Sequence, residues 1–282
     1  MYAFVTLPVV SVMAWAYWPT LVEIEATWRR EPDYSHGYLV IPAVLYFLWS
    51  RRANRPETIS GPAWSGLFLI VLACLLRFVA GKYFLSAIDG WSIPVVVCGI
   101  VWLLMGADWA KWSWSAVAFL AFTVPLPYRL ETFLSFPLQR IATIVSCWTL
   151  QCFGYAAVQQ GNTILLEATH IEVEQACSGL RMLTSVVALV FAYMILRPAE
   201  WWQRSLLLVG AVPIALAANC VRIVLTAVLL QSFRGDTAVR VSHDFAGLFM
   251  IPLAGGLLWL YAAFVNRLVI EMEPVVITKM RS

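Results

Sequence analysis

The chain has 282 residues, 61% hydrophobic and only 12% charged, with a mean hydropathy of +0.79. A soluble domain carries about twice that share of charge, which excludes a soluble enzyme and a disordered regulator. The balance of 19 Lys+Arg against 16 Asp+Glu, a net +3, is too small to argue for a nucleic-acid partner.

A spanning helix needs roughly 20 mainly apolar residues, and the sequence supplies such windows repeatedly. Hydropathy predicts about eight spans, near residues 3–22, 37–50, 63–80, 91–106, 112–125, 178–196, 205–230 and 245–265. The runs are too long and continuous for barrel strands. The expected fold is therefore an all-α polytopic bundle forming a single integral-membrane domain over 1–282. An extracytoplasmic insertion is expected over about 126–176 and a short cytoplasmic tail over 267–282, with no additional C-terminal soluble domain. The first span lacks a basic residue before Arg29, so it is read as retained rather than as a secretory signal.

Orientation follows from the loops. With the N-terminus inside, the cytoplasmic segments hold Arg51, Arg52, Arg55, Lys111, Arg197, Arg204, Arg267, Lys279 and Arg281. The outer segments hold fewer basic residues, interspersed with acids such as Glu23, Glu31, Glu131 and Glu174. The bias favours both termini inside.

The stretch from Pro125 to Gln175 is the least membrane-like. Val124-Pro125-Leu126-Pro127 ends a span, because neither proline continues a helix cleanly. Thr132, Ser135, Gln139, Thr143 and Ser146 then recur every three or four residues, a polar stripe that suggests an amphipathic interfacial or re-entrant helix. From Thr163 to Glu174 the period becomes two, with Ile164, Leu166, Ile171 and Val173 alternating against Leu165, Glu167, Glu172 and Glu174. That pattern predicts a short β-hairpin leading directly to Cys177.

Ionisable groups at membrane depth are costly and suggest function or a buried partner; here they are Arg77, Arg181 and Arg222. Of the six cysteines, Cys177 is set apart by standing where a polar strand meets an apolar helix. A helix N-terminus lowers a thiol pKa, and Arg181 lies one turn on. Asn219 and Arg222, three residues apart, share one helix face. His243 stands at the mouth of the last span, on the same outer side, and histidine is the usual general base near neutral pH. A thiol, a guanidinium and an imidazole at one membrane surface make nucleophilic catalysis plausible. No Cys or His spacing suggests a metal, and no cofactor is expected.

Three segments, Ala176-Cys177-Ser178-Gly179, Asn219-Cys220-Val221-Arg222-Ile223 and His243-Asp244-Phe245-Ala246-Gly247, resemble in content and order the signatures of the exosortase/archaeosortase family of integral-membrane cysteine transpeptidases. Tyr34-Ser35-His36-Gly37-Tyr38-Leu39 with Pro42, and Pro125-Leu126-Pro127 with the helix to Gln139, add to the likeness. The resemblance implies Cys177 as nucleophile, with Arg222 and His243 essential; Asn219 and His36 match motif positions, and Arg181 is a supporting cation. It further implies an active site at the outer face of the cytoplasmic membrane. Its substrates would be membrane-anchored exported proteins ending in a sorting tail: a short motif such as Pro-Glu-Pro, a spanning helix and a basic end. Two other classes compete: a small-solute transporter using the arginines as a path, and a non-catalytic assembly subunit. A transporter would be expected to show internal repeats, and none is evident.

Overall fold

A computed structural model describes residues 2–31, 34–59, 61, 63–166, 170–173, 179–197, 200–232 and 236–268. Nine α-helices run through these residues. They are α1 (Tyr2–Arg30), α2 (Gly37–Ser50), α3 (Gly66–Tyr83), α4 (Ser86–Met105), α5 (Ala107–Ala118), α6 (Tyr128–Cys152), α7 (Gly179–Leu196), α8 (Trp201–Ser232) and α9 (Asp236–Arg267).

Helices dominate because the apolar runs are long and carry their prolines singly. Three helices, Gly66–Tyr83, Ser86–Met105 and Trp201–Gln231, are long and apolar enough to cross a bilayer. A fourth candidate is a bent pair, Ala107–Thr123 with Tyr128–Cys152, which turn by 82° at the break. Helices Gly37–Ser50 and Met182–Leu196 are apolar but shorter. The protein is thus a multi-pass helical membrane protein, and the structure supports at least three of the eight expected spans. Large apolar side chains face outward, including Trp15, Phe68, Phe78 and Trp259, as a lipid-facing surface requires and a water-facing one does not.

The expected fifth span ends as a 3₁₀ turn, Phe119–Thr123. Val124 then leaves the helix in an extended conformation, as a residue before proline must. Helix α6 follows with the second half of its polar stripe turned inward: Thr143 and Ser146 are buried, while Thr132, Phe133, Phe136 and Trp148 are exposed. The amphipathic helix is therefore real, and its apolar face is the outer one.

The expected hairpin is the larger part of a three-stranded antiparallel sheet of β1 (Val158–Gln160), β2 (Thr163–Leu165) and β3 (His170–Glu172). Ile164 pairs with Ile171, the register the period-two pattern demands. Ile164, Leu166 and Val173 are buried against Leu150 of α6 and Ile223 of α8, so the sheet rests on those two helices. Strand β1 was not anticipated, because Val158-Gln159-Gln160 is exposed throughout and carries no alternation.

At the opposite side of the bundle, Trp28 near the end of α1 fastens α2 to the α5–α6 corner. Its indole N–H donates to the Thr123 carbonyl at 2.8 Å, and a Cβ added at Gly37 would overlap its ring. Gly37→Ala is expected to lower stability by about 1–3 kcal/mol, the usual range for overpacking. Thermal unfolding in detergent measures this, and an unchanged Tm would show that Trp28 has room to move.

Candidate functional site

The most unusual side chains in the described residues lie on α8. The stripe Ala211, Ala215, Ala218 packs against α7 and α9 in one buried cluster; these small residues let the helices approach closely. Arg222 continues that stripe one turn further on. It is only 5% exposed, and among the described residues no carboxylate pairs with it. Asn219, one turn before it, is 1% exposed, and both its amide nitrogen and its amide oxygen lack a hydrogen-bond partner. Leaving a buried amide unsatisfied costs about 1–3 kcal/mol. A guanidinium and an amide left open side by side form an environment suited to an anion or a polarised carbonyl.

Neighbouring helices bring two further segments to this level. Helices α8 and α9 follow one another with three residues between them and pack in one cluster, so they run antiparallel, and Tyr261 of α9 donates its hydroxyl to the Leu206 carbonyl of α8 at 3.0 Å. For straight helices, counting back equally from that contact places Arg222 level with Phe245, and His243 within one turn of it. The structure differs from expectation in one respect here. Helix α9 begins at Asp236, not near 245, so His243 lies inside the helix rather than in a loop at its mouth. Hydropathy misses this first stretch because Asp236, Arg240, His243 and Asp244 dilute it.

Helix α7 begins at Gly179, and Met182 in its first turn shares the buried cluster with Ala215 and Ala218. The α7 start, which carries Arg181, therefore meets the Ala215–Arg222 stretch. Cys177 lies outside the described residues, two positions before that helix. The start of α7, the Asn219–Ile223 segment of α8 and the His243–Gly247 segment of α9 thus lie toward one end of the α7–α8–α9 cluster.

Helix α6 closes another side of α8. The Cys220 thiol lies 3.9 Å from the Ala142 carbonyl, which sets Thr143 and Ser146 within one turn of the contact. Thr143 returns its hydroxyl to the Gln139 carbonyl at 2.8 Å, whereas the buried Ser146 hydroxyl has no partner. Sequence reading found this stripe but assigned it to the membrane interface, because periodicity gives a face and not the direction it looks.

His36 is tied to a different neighbourhood. It precedes α2, hydrogen-bonds with the Phe122 backbone, and sits 6.4 Å from the Tyr34 ring. Burial pushes its pKa down, with the backbone hydrogen bond partly opposing, so the imidazole is neutral at pH 7. Tyr34 faces Glu131 and the Leu126 backbone without completing a well-aligned hydrogen bond. Its pKa is pushed up to about 12, first by burial and then by the Glu131 charge. Burial likewise raises the Glu131 carboxyl. Sequence analysis missed this Tyr34–Glu131 pair, whose members lie far apart in the chain and carry no shared pattern.

Arg77 has an evident structural role. It lies 3.4 Å from Asp89, donates to the Ala16 carbonyl at 2.6 Å and to Thr20 at 3.2 Å, and stacks 4.3 Å above the Tyr17 ring. Among the described residues, no group of His, Cys, Asp and Glu is placed to hold a metal ion.

The fold and the α8 site define a helical membrane protein with an open guanidinium–amide pair at one end of its bundle. The chain belongs to the transmembrane exosortase family, EpsH type, whose family model matches residues 28–260. No curated protein and no solved structure matches the chain.

Proposed function

We propose that the protein is a membrane-embedded cysteine protease/transpeptidase that removes C-terminal sorting tails from exported proteins at the outer face of the cytoplasmic membrane. The reading is supported chiefly by the buried Arg222, which has no carboxylate partner among the described residues, beside the unsatisfied Asn219, in a chain of the exosortase family. In this proposal the Cys177 thiolate attacks the scissile backbone carbonyl. Arg222 and Asn219 stabilise the oxyanion or hold the motif's acidic side chain. His243 protonates the departing amine as the tetrahedral adduct collapses to a thioester. Water or an amine then gives a proton to His243 as it attacks the thioester, and the Cys177 thiolate leaves as the product is released. Arg181 supports the thiolate form of Cys177. His36, in its separate neighbourhood beside Phe122, carries none of these steps. The same three residue types serve unrelated soluble sortases, so the likeness is one of chemistry and not of fold.

Membranes containing the protein should convert a reporter bearing a Pro-Glu-Pro-type tail to a shorter product ending at the motif. Reporters of that class remaining full length would overturn the protease reading. A transporter is less well supported, since Arg77, one of the three arginines that would form its path, is already bound to Asp89 and α1.

The expected arrangement has eight spans with both termini in the cytoplasm. Single cysteines placed at Thr58 and Asp236 test it with an impermeant thiol reagent. In intact cells Asp236→Cys should label and Thr58→Cys should not. The reverse pattern would put the α8–α9 junction, and the catalytic proposal with it, on the wrong side.

A further inference from the structure

Asn219 is buried on α8 with nothing to bond to. It is 1% exposed, and neither its Nδ2 nor its Oδ1 has a partner, so the amide is open whichever way it is turned. At about 100° per residue, Asn219 falls between Ile223 and Ala215 around the circumference of α8. Ile223 shares a buried cluster with Val173, and Ala215 shares one with Met182. Val173 and Met182 stand on either side of Cys177 in the chain. Asn219 thus lies on α8 between the two described flanks of the proposed nucleophile, with Arg222 one turn further along the helix.

The two open atoms decide what kind of ligand fits. An anion answers the Nδ2 donor but sets its own charge against the Oδ1 acceptor. One residue of an extended peptide answers both, because its N–H and C=O point to the same side, as when two strands exchange a pair of bonds. We propose that Asn219 clamps the substrate residue whose carbonyl Cys177 attacks. Its Nδ2 donates to that carbonyl oxygen, and its Oδ1 accepts the N–H of the same residue. Arg222 adds positive charge as the oxygen becomes an oxyanion. This clamp rests on the protease reading and adds a rule of specificity to it. Proline has no N–H, so the bond cleaved does not follow a proline. Within a Pro-Glu-Pro motif, only the glutamate carbonyl qualifies.

A synthetic tail peptide, incubated in detergent with the full-length protein, tests the clamp. Mass spectrometry of the product identifies the bond cleaved, and a proline just before that bond would overturn the assignment. In a second peptide an α-hydroxy acid replaces the attacked residue, so that an ester oxygen stands in place of its N–H with little change of shape. Wild-type kcat/KM should fall about 10-fold on this peptide, the effect of one lost hydrogen bond. Asn219→Leu, which removes both amide atoms at nearly constant shape, should cleave slowly yet treat the two peptides alike. Equal wild-type rates on the two peptides, or an equal loss from an ester one residue earlier, would overturn the clamp and leave the protease reading intact. So would a 10-fold preference that persists in Asn219→Leu. The wild-type comparison decides the matter even if the leucine variant accumulates poorly. No cleavage of the all-amide peptide at any bond would instead end the protease reading, and the clamp with it.

Discussion

Cys177→Ala is expected to abolish tail cleavage, with a loss on the order of 10⁶ in rate, as when a covalent nucleophile is removed. The reason is stoichiometric. Without the thiol no thioester forms, and the reaction reverts to direct attack by water on an unactivated amide. Cys74→Ala and Cys98→Ala provide the comparison. Cys74 is exposed on α3 and Cys98 half-buried on α4, and neither helix belongs to the α7–α8–α9 cluster. Both variants should cleave at close to the wild-type rate. The measurement is conversion of a tail-bearing reporter per unit of membrane-inserted protein. Full processing by Cys177→Ala would end the covalent mechanism, whichever other residue proved essential.

Arg222→Lys is expected to insert and accumulate normally yet lose cleavage by about 10²–10³, the range for one oxyanion donor. Lysine keeps the charge but replaces a flat fork of donors by a single rotating ammonium. An arginine that only balanced charge would tolerate the exchange. In this protein there is no described carboxylate for Arg222 to balance, so charge alone gives a poor account of its burial. Near wild-type cleavage by the lysine variant would remove Arg222 from the catalytic set. Asn219 would then be the nearest candidate for the oxyanion, because its amide is buried and has no hydrogen-bond partner.

The contrast between Arg77 and Arg222 shows how far sequence could carry the site. Both are arginines within apolar runs, and hydropathy treats them alike. Only three-dimensional neighbours separate them: Arg77 finds Asp89, Thr20 and a carbonyl of α1, whereas Arg222 finds no carboxylate among the described residues. Helices were legible because a bilayer imposes length and apolarity together. The β2–β3 hairpin was legible because Ile164, Leu166 and Val173 alternate with residues turned away from the core. Span number was less so, since Gly37–Ser50 and Met182–Leu196 are apolar but short. The start of α9 was lost because charged residues in its first turns reduce hydropathy without breaking a helix. The inward aim of Thr143 and Ser146 was lost for another reason: a stripe acquires direction only from the helix packed against it, here α8.

The Arg77–Asp89 pair also bears on how the chain enters the membrane. Each charge alone would cost about 2.5–3.5 kcal/mol at the centre of a span. Helix α3 carries the cation and α4 the anion, and only Phe84 and Leu85 separate the two helices. Each helix is apolar enough to span alone, and as a hairpin the two present a largely neutralised pair. The remaining donors of Arg77 go to Ala16 and Thr20 of α1, which is synthesised first. The charge of Arg77 is thus satisfied entirely within α1, α3 and α4, helices that carry none of Cys177, Arg222 and His243.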